Sequence, residues 1–314
     1  RSIDPEEAKK IFSDPRSPMY NRAISGTFAP GSIVKPVIAM GALEEGTIDP
    51  NKQIFSSGSL SVPDPYHPGK FSVFLDWKAH GYVDMRRAIT VSSNVYFFTV
   101  GGGFGDIKGL GIQKIKSWLH FFGLDTPTGI DIAGEAIGFL PDPAWKEKAR
   151  PDNPTWRIGD TYNTSIGQGD ILVTPLEMAR ALGVLATRGK TVTPRILKTK
   201  GVEIRDSAPL KNENYQIVAD GMKKAAESGG TAAGISWVPF PVGAKTGTAE
   251  IGKKDRVNSW FMGYMPYDDP TIGMVVLMES GPRANLVGAT YVASQTFRWL
   301  LDRGGLDYLN ETRN

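Results

Sequence analysis

The segment Pro-Val-Gly-Ala-Lys-Thr-Gly-Thr-Ala-Glu, residues 241–250, decides the fold of this 314-residue chain. Its small residues predict a strand that another element approaches closely. Two further segments, 259–264 and 271–279, also predict strands, and the last two are linked by a Pro-Tyr-Asp-Asp-Pro turn. Strands joined by short turns pair antiparallel. Residues 236–314 therefore predict sheet strands and a closing helix, which contains Tyr291, Phe297, Trp299 and Leu300.

The part of the chain before these strands predicts mainly helices. Apolar spacing indicates a helix that begins at Ser32, and Thr174 with Glu177 forms a capping box that opens another. Other helices are expected over 84–90, 112–122 and 215–227, whereas 56–80 and 141–154 predict irregular loops. We therefore expect one α+β domain over 1–314. Its antiparallel sheet is flanked by helices and adjoins a mostly helical region over about 45–235.

The composition is that of an ordinary globular chain, 40% hydrophobic and 22% charged. The formal net charge is only +3 without a basic stripe, which argues against a nucleic-acid partner. The absence of cysteine excludes disulfides, zinc–thiolate sites and a thiol nucleophile. No apolar segment reaches the roughly 18 residues of a membrane span, and the chain begins at Arg1 without methionine. We expect it to be a portion of a longer protein.

The first chemical motif is Ser32-Ile33-Val34-Lys35. Residues three apart share a helix face, with Cβ atoms about 5–6 Å apart. A lysine with a pKa of about 10.4 is a poor base at neutral pH, so burial or a second cation must lower that pKa. Lys245 is the candidate cation. The motif predicts Ser32 as nucleophile and Lys35 as general base, the alternative being an exposed pair on a capped helix.

Two more motifs follow in order. Ser92-Ser93-Asn94 offers a hydroxyl and a carboxamide on a loop, and Lys245-Thr246-Gly247-Thr248 lies in the first predicted strand. In a strand Lys245 and Gly247 share one face, where the glycine leaves room for the Ser32 helix, and Thr246 and Thr248 share the other. Ser-x-x-Lys alone occurs about once by chance in a chain of this length. The order and spacing of all three motifs argue against chance.

The set S-x-x-K, S-x-N, K-T-G resembles that of the penicillin-binding proteins and their β-lactamase relatives. Outside these motifs the chain is similar to class B transpeptidases over about residues 20–300. It is most similar to the elongation-type penicillin-binding protein 2 branch, and the division-type branch is the alternative. The strings that carry this similarity are Pro30-Gly31, Ile166-Gly167-Gln168-Gly169, Thr174-Pro175-Leu176-Glu177-Met178-Ala179 and Trp260-Phe261-Met262-Gly263-Tyr264. The family usually opens this domain with a strand pair before the serine helix, and residues 1–20 show no such pattern.

The resemblance also implies roles for individual residues. Ser92 would relay a proton to the leaving amine, and Asn94 would hold the substrate amide. Lys245, Thr246 and Thr248 would surround the terminal carboxylate of the substrate, which lies along the strand past Gly247. The backbone N–H groups of Ser32 and Thr248 would form the oxyanion hole.

The implied activity is that of a serine D,D-transpeptidase that cross-links peptidoglycan stem peptides ending in D-Ala-D-Ala and is acylated by β-lactams. It implies no cofactor. It also implies an extracytoplasmic location, an anchor outside this chain and a glycan-polymerising membrane protein as partner. A D,D-carboxypeptidase or a β-lactam sensor domain remains an alternative. A class A β-lactamase is disfavoured because no Glu-x-x-Leu-Asn string lies between the second and third motifs.

One cluster leaves a metal site open. Some elongation-type relatives carry zinc in the region before the second motif, where this chain has Asp64, His67, Asp76 and His80. Oxygen and imidazole ligands can hold zinc. Their spacing is loose and no thiol is present, so no metal ligand is assigned.

Overall fold

A computed structural model describes residues 3–64, 67–198, 204–207, 210–252, 255–284 and 288–304. The helices are α1 Pro5–Ser13, α2 Arg22–Ser25, α3 Lys35–Glu44, α4 Met85–Val91, α5 Asn94–Gly102, α6 Gly111–Phe121, α7 Pro143–Ala149, α8 Ile158–Ser165, α9 Pro175–Ala186, α10 Asn212–Ala226 and α11 Ala289–Leu301, with 3₁₀ turns at Gly31–Val34 and Ala233–Ile235. The strands are β1 Ile54–Ser56, β2 Ser59–Pro63, β3 Phe71–Leu75, β4 Gly81–Val83, β5 Lys190–Val192, β6 Ile204–Ser207, β7 Gly243–Glu250, β8 Arg256–Met265 and β9 Ile272–Pro282.

The principal sheet is antiparallel and has the order β7-β8-β9, which leaves β7 at an edge. Alternate residues of β8 face opposite sides, as strand geometry requires. Phe261 packs on Phe297 of α11 with ring centroids 6.2 Å apart, whereas Trp260 and Met262 join the core on the other side. The predicted strands, closing helix and α+β class are confirmed.

Helix α3 lies in the centre of the main core, and Lys35–Leu43 is buried throughout. It packs against α5, α6 and α10. Its hydrophobic surface is nearly uniform around the axis, which is typical of a helix that is buried on all sides. The 3₁₀ turn that precedes it also contacts β7. This packing holds the serine turn against the edge strand of the sheet.

The expectation of an irregular segment over 56–80 is wrong. Strand β1 pairs with β4, and β2 pairs with β3, both antiparallel. Phe74 of β3 packs on Phe98 and Tyr162, at ring-centroid distances of 5.8 and 4.9 Å. These contacts to distant helices stabilise a hairpin that the local Ser, Pro and Gly content disfavours.

The predicted loop over 141–154 also needs correction, because it contains α7. The Asp142 carboxylate accepts a hydrogen bond from the Trp145 amide at 2.8 Å, and Pro143 occupies the first turn. That pair is a recognisable helix start. The capping box of Thr174 and Glu177 is confirmed, and the helix that it opens, α9, ends at Ala186.

Residues 3–20 form α1 and turns, so the principal sheet has three strands in the described part of the chain. Within the same ranges, no helix combines the length and the apolar composition needed to cross a bilayer. The extent of a single domain over 1–314 stays a prediction, and residues 305–314 lie outside the described residues.

Candidate active site

The serine turn is pressed against β7 through glycines. Gly31 has φ +56°, and a Cβ there would lie 2.6 Å from the Thr248 carbonyl oxygen. A Cβ on Gly247 would lie 2.9 Å from Ile33. Side chains at either position would push the strand from the turn. The room that the sequence predicts beside Gly247 is therefore used by the turn that carries Ser32.

Gly31→Ala is expected to destabilise the fold more than Gly46→Ala. Both glycines have positive φ, +56° and +62°, but an added Cβ at Gly46 meets nothing within 4 Å. Both variants carry the backbone strain of about 1 kcal/mol, and only Gly31→Ala adds crowding of about 1–3 kcal/mol. Thermal unfolding of the two variants measures the difference. Equal losses of stability would show that the turn and β7 are not in close contact.

The second motif forms a turn between α4 and α5. Ser92 adopts the left-handed conformation with φ 58° and ends α4. Ser93 caps α5, and its hydroxyl donates to the Asp76 carboxylate at 2.8 Å, away from the lysines. Asn94 begins α5, and its Nδ2 donates to the Leu75 carbonyl at 3.2 Å. The turn therefore presents Ser92 and Asn94 toward the same side.

Both motif lysines converge on the Ser92 hydroxyl. Lys35 Nζ donates to the Ser92 carbonyl and to Asn94 Oδ1, each at 2.7 Å, and lies 3.4 Å from Ser92 Oγ. Lys245 Nζ donates to Ser92 Oγ at 2.8 Å and to the Thr246 carbonyl at 2.7 Å. Both lysine side chains are fully buried. A proton can thus pass between the amines through one hydroxyl.

Burial sets the protonation of this pair. It lowers the pKa of Lys35 to about 7, and the nearby Asp76 charge acts in the opposite direction. Burial, together with the charge of Lys35, holds the pKa of Lys245 well below its ordinary value. The pair therefore does not carry two full positive charges at neutral pH. The sequence predicts that burial or a second cation lowers the pKa of Lys35, and the cause found in the structure is burial. The charge of the neighbouring lysine acts instead on Lys245.

A cavity of about 430 Å³ brings the motifs together. The predicted site residues that line it are Ser32, Ser92, Asn94, Thr246, Gly247 and Thr248. Lys35 and Lys245 lie behind this wall. Among the described residues the Ser32 hydroxyl has no hydrogen-bond partner, so it is open toward the cavity. No histidine lines the cavity in the part of the chain that is described.

Four lining residues are absent from the sequence-based site: Trp77, Ile166, Gln168 and Thr231. Gln168 Nε2 donates to the Thr248 carbonyl at 3.3 Å, and the Gly-Gln-Gly string was the available signal for it. Trp77 is 56% exposed, and its indole donates to the Val91 carbonyl at 3.2 Å. Trp77 follows the β2–β3 hairpin, which the local composition does not predict, so no sequence signal indicated this residue.

The four residues considered for a metal separate into two pairs. His67 Nδ1 lies 2.9 Å from Asp64 Oδ2, and His80 Nε2 lies 3.6 Å from Asp76 Oδ1. Across the described ranges, no three His, Cys, Asp or Glu side chains gather as metal ligands. The residues present do not form a zinc-binding set.

The family model for the penicillin-binding protein transpeptidase domain matches residues 1–300. The chain is 32% identical over 314 residues to the peptidoglycan D,D-transpeptidase MrdA of Acinetobacter baumannii. The match covers 91% of this chain and 44% of that relative. A crystal structure of Pseudomonas aeruginosa PBP2 in complex with WCK 5153 has TM-score 0.82 at 27% identity. The match covers 97% of this chain and 66% of the other.

A structure of a peptidoglycan synthase complex that coordinates polymerization and crosslinking has TM-score 0.78 at 30% identity, covering 96% of this chain and 50% of that one. The chain spans about half the length of the curated relatives it matches. The family match over most of the chain and the PBP2 structure agree with the motif resemblance. The chain therefore belongs to the penicillin-binding protein transpeptidase family, as a class B transpeptidase domain of the PBP2 type.

Proposed function

We propose that this domain is a serine D,D-transpeptidase of peptidoglycan. The observation that carries the proposal is the Ser92 hydroxyl, which lies between two buried lysine amines in the cavity that contains Ser32. Lys35, with a pKa of about 7, accepts the Ser32 proton as the hydroxyl attacks a carbonyl. Ser92 then passes a proton to the departing amine. This is nucleophilic acyl transfer without histidine.

The proposed donor is a stem peptide that ends in D-Ala-D-Ala. It adds along the free edge of β7, where Thr246, Gly247 and Thr248 line the cavity. Thr246 and Thr248 contact its terminal carboxylate, with Lys245 behind them, and the backbone N–H groups of Ser32 and Thr248 stabilise the oxyanion. Asn94 holds the substrate amide from the opposite wall. Ser32 attacks the penultimate D-Ala, the terminal D-Ala leaves, and an amine of a neighbouring stem takes the acyl group.

The wider setting is also proposed. The curated relatives are D,D-transpeptidases about twice as long as this chain, and one solved relative belongs to a complex that joins polymerization with crosslinking. We infer an elongation-type, extracytoplasmic enzyme, anchored by a segment outside these residues and partnered by a glycan-polymerising membrane protein. Residues 1–314 act in it as a single transpeptidase domain.

Incubation with benzylpenicillin, followed by intact mass over hours, tests the proposal. We expect one covalent equivalent that persists, because the transpeptidase holds the ring-opened drug as an acyl-enzyme. An adduct that appears and disappears while the drug is consumed would assign a β-lactamase. A protein that stays unmodified would overturn the proposed function. Release of D-Ala from a D-Ala-D-Ala peptide without transfer to an added amine would favour the carboxypeptidase.

The rate of acylation is expected to rise with pH through a midpoint near 7. Burial lowers the pKa of Lys35 to about 7, and only the neutral amine can accept the Ser32 proton. Below the midpoint the amine is protonated and the rate falls. Initial rates of adduct formation between about pH 5.5 and about pH 9 measure this dependence. A rate that is flat over this range would contradict Lys35 as the base.

A further inference from the structure

A buried carboxylate outside the three motifs holds the second motif from behind. The side chain of Asp76 is fully buried. Its Oδ2 accepts hydrogen bonds from Ser93 Oγ at 2.8 Å, from Ser56 Oγ at 3.1 Å and from the Val95 amide at 3.1 Å. Its Oδ1 accepts from the Trp77 amide at 2.9 Å. A charge buried this deeply requires such partners, and these partners connect β1, the end of β3 and α5.

Two of these partners flank Asn94, which Lys35 contacts from the other side. Ser93 and Val95 are held by Asp76, and Asn94 Oδ1 and the Ser92 carbonyl accept from Lys35. The turn is therefore clamped between a carboxylate and an amine. Asp76 also lies at the N-terminus of the nine-residue helix α5, where negative charge is favoured.

Asp76 is also the negative charge that acts on Lys35. Lys35 is faced by Lys245 from β7, by neutral Asn94 from α5, and by Asp76 and His80 from the segment between β3 and β4. Of these groups only Asp76 is anionic. His80 is buried, and burial lowers its pKa, which favours the neutral ring beside the carboxylate. Low local dielectric strengthens the attraction between Asp76 and Lys35.

We propose that Asp76 is a positioning residue of this site, which fixes the Ser92–Asn94 turn and supplies the counter-charge that keeps Lys35 protonatable in the core. This inference rests on the proposed function and deepens it. Asp76 does not line the cavity, so it acts through Ser93, Asn94 and Lys35. Its neighbours Leu75 and Trp77 point outward, as strand alternation requires.

Asp76→Asn tests the charge while keeping the shape. The acylation rate at its pH plateau is expected to fall about 10- to 100-fold, because the Ser92 turn loses part of its support. The midpoint of the pH profile is expected to move down by about one pH unit, because protonated Lys35 loses its counter-charge. The midpoint moves down rather than up because the Asp76 anion stabilises the ammonium form of Lys35. Asp64→Asn, at the hairpin beside His67, is the matched control and should leave both values unchanged.

Ser93→Ala provides a second variant in case Asp76→Asn does not fold. It removes the 2.8 Å hydrogen bond and the α5 cap but keeps the carboxylate. Its plateau rate is expected to fall while its midpoint stays near that of the wild type. A midpoint unmoved in folded Asp76→Asn, or a wild-type plateau in Ser93→Ala, would overturn the inference. Wild-type protein that forms no adduct would instead overturn the proposed function.

Discussion

Ser32→Ala is expected to abolish the penicillin adduct, with a loss of rate on the order of 10⁶-fold, as for other serine enzymes that lose the nucleophile. Ser32 lines the cavity, and its hydroxyl has no hydrogen-bond partner among the described residues. Removing that oxygen therefore deletes the attacking atom and leaves the packing of the turn intact. The unfolding temperature should stay close to that of the wild type. Intact mass and thermal unfolding measure the two effects on one sample.

Ser61→Ala is the matched control, because Ser61 is an exposed serine on β2. It should acylate at the wild-type rate. Peptide mapping of the wild-type adduct should place the drug on the peptide that contains Ser32. A full adduct on folded Ser32→Ala, mapped to another residue, would refute the assignment of the nucleophile.

Lys35→Met is expected to slow acylation by about 10²- to 10⁴-fold and to remove the pH midpoint near 7. Methionine is unbranched and apolar, so it can occupy the buried path of the lysine. The Ser92 hydroxyl would keep its 2.8 Å hydrogen bond from Lys245 but lose the second amine. The remaining rate would report what the cavity contributes without its base.

Lys148→Met, an exposed change on α7, controls for the loss of a positive charge. Its rate and pH profile should match those of the wild type. If Lys35→Met kept both the rate and the midpoint, the proton acceptor would have to be another group, and Lys245 would be the next to test.

Local sequence patterns were sufficient to predict the sheet strands and to single out the three motifs. Small residues and short turns specify β7, β8 and β9 locally, and strand alternation puts Lys245 and Gly247 on the face that meets the serine turn. The convergence of Lys35 and Lys245 on Ser92 could be expected only from the family resemblance, because no local pattern relates residues that are far apart in the chain.

The strand pairs around β3 could not be predicted from the sequence. One wall of the cavity, which contains Trp77, was missed for the same reason. Phe74 is held by rings on two distant helices, so the strand exists because of tertiary packing. Trp77 and Asp76 follow that strand, one exposed in the cavity wall and one buried behind it. Asp76 appeared in the sequence only as a possible metal ligand, since its hydrogen-bond partners are contributed by three separate segments.

The two buried amines also make the folded chain bind fewer protons than the unfolded chain. An unfolded lysine keeps its ordinary pKa, whereas that of Lys35 falls to about 7 from 10.5 on folding. Between those values unfolding takes up protons, so the contribution of Lys35 makes the fold more stable as pH rises and less stable as pH falls. The reactivity of the site and the loss of stability as the pH falls from 10.5 to about 7 thus have one origin. A substitution that removes the cost of burying the Lys35 amine would make the fold more stable and the enzyme slower.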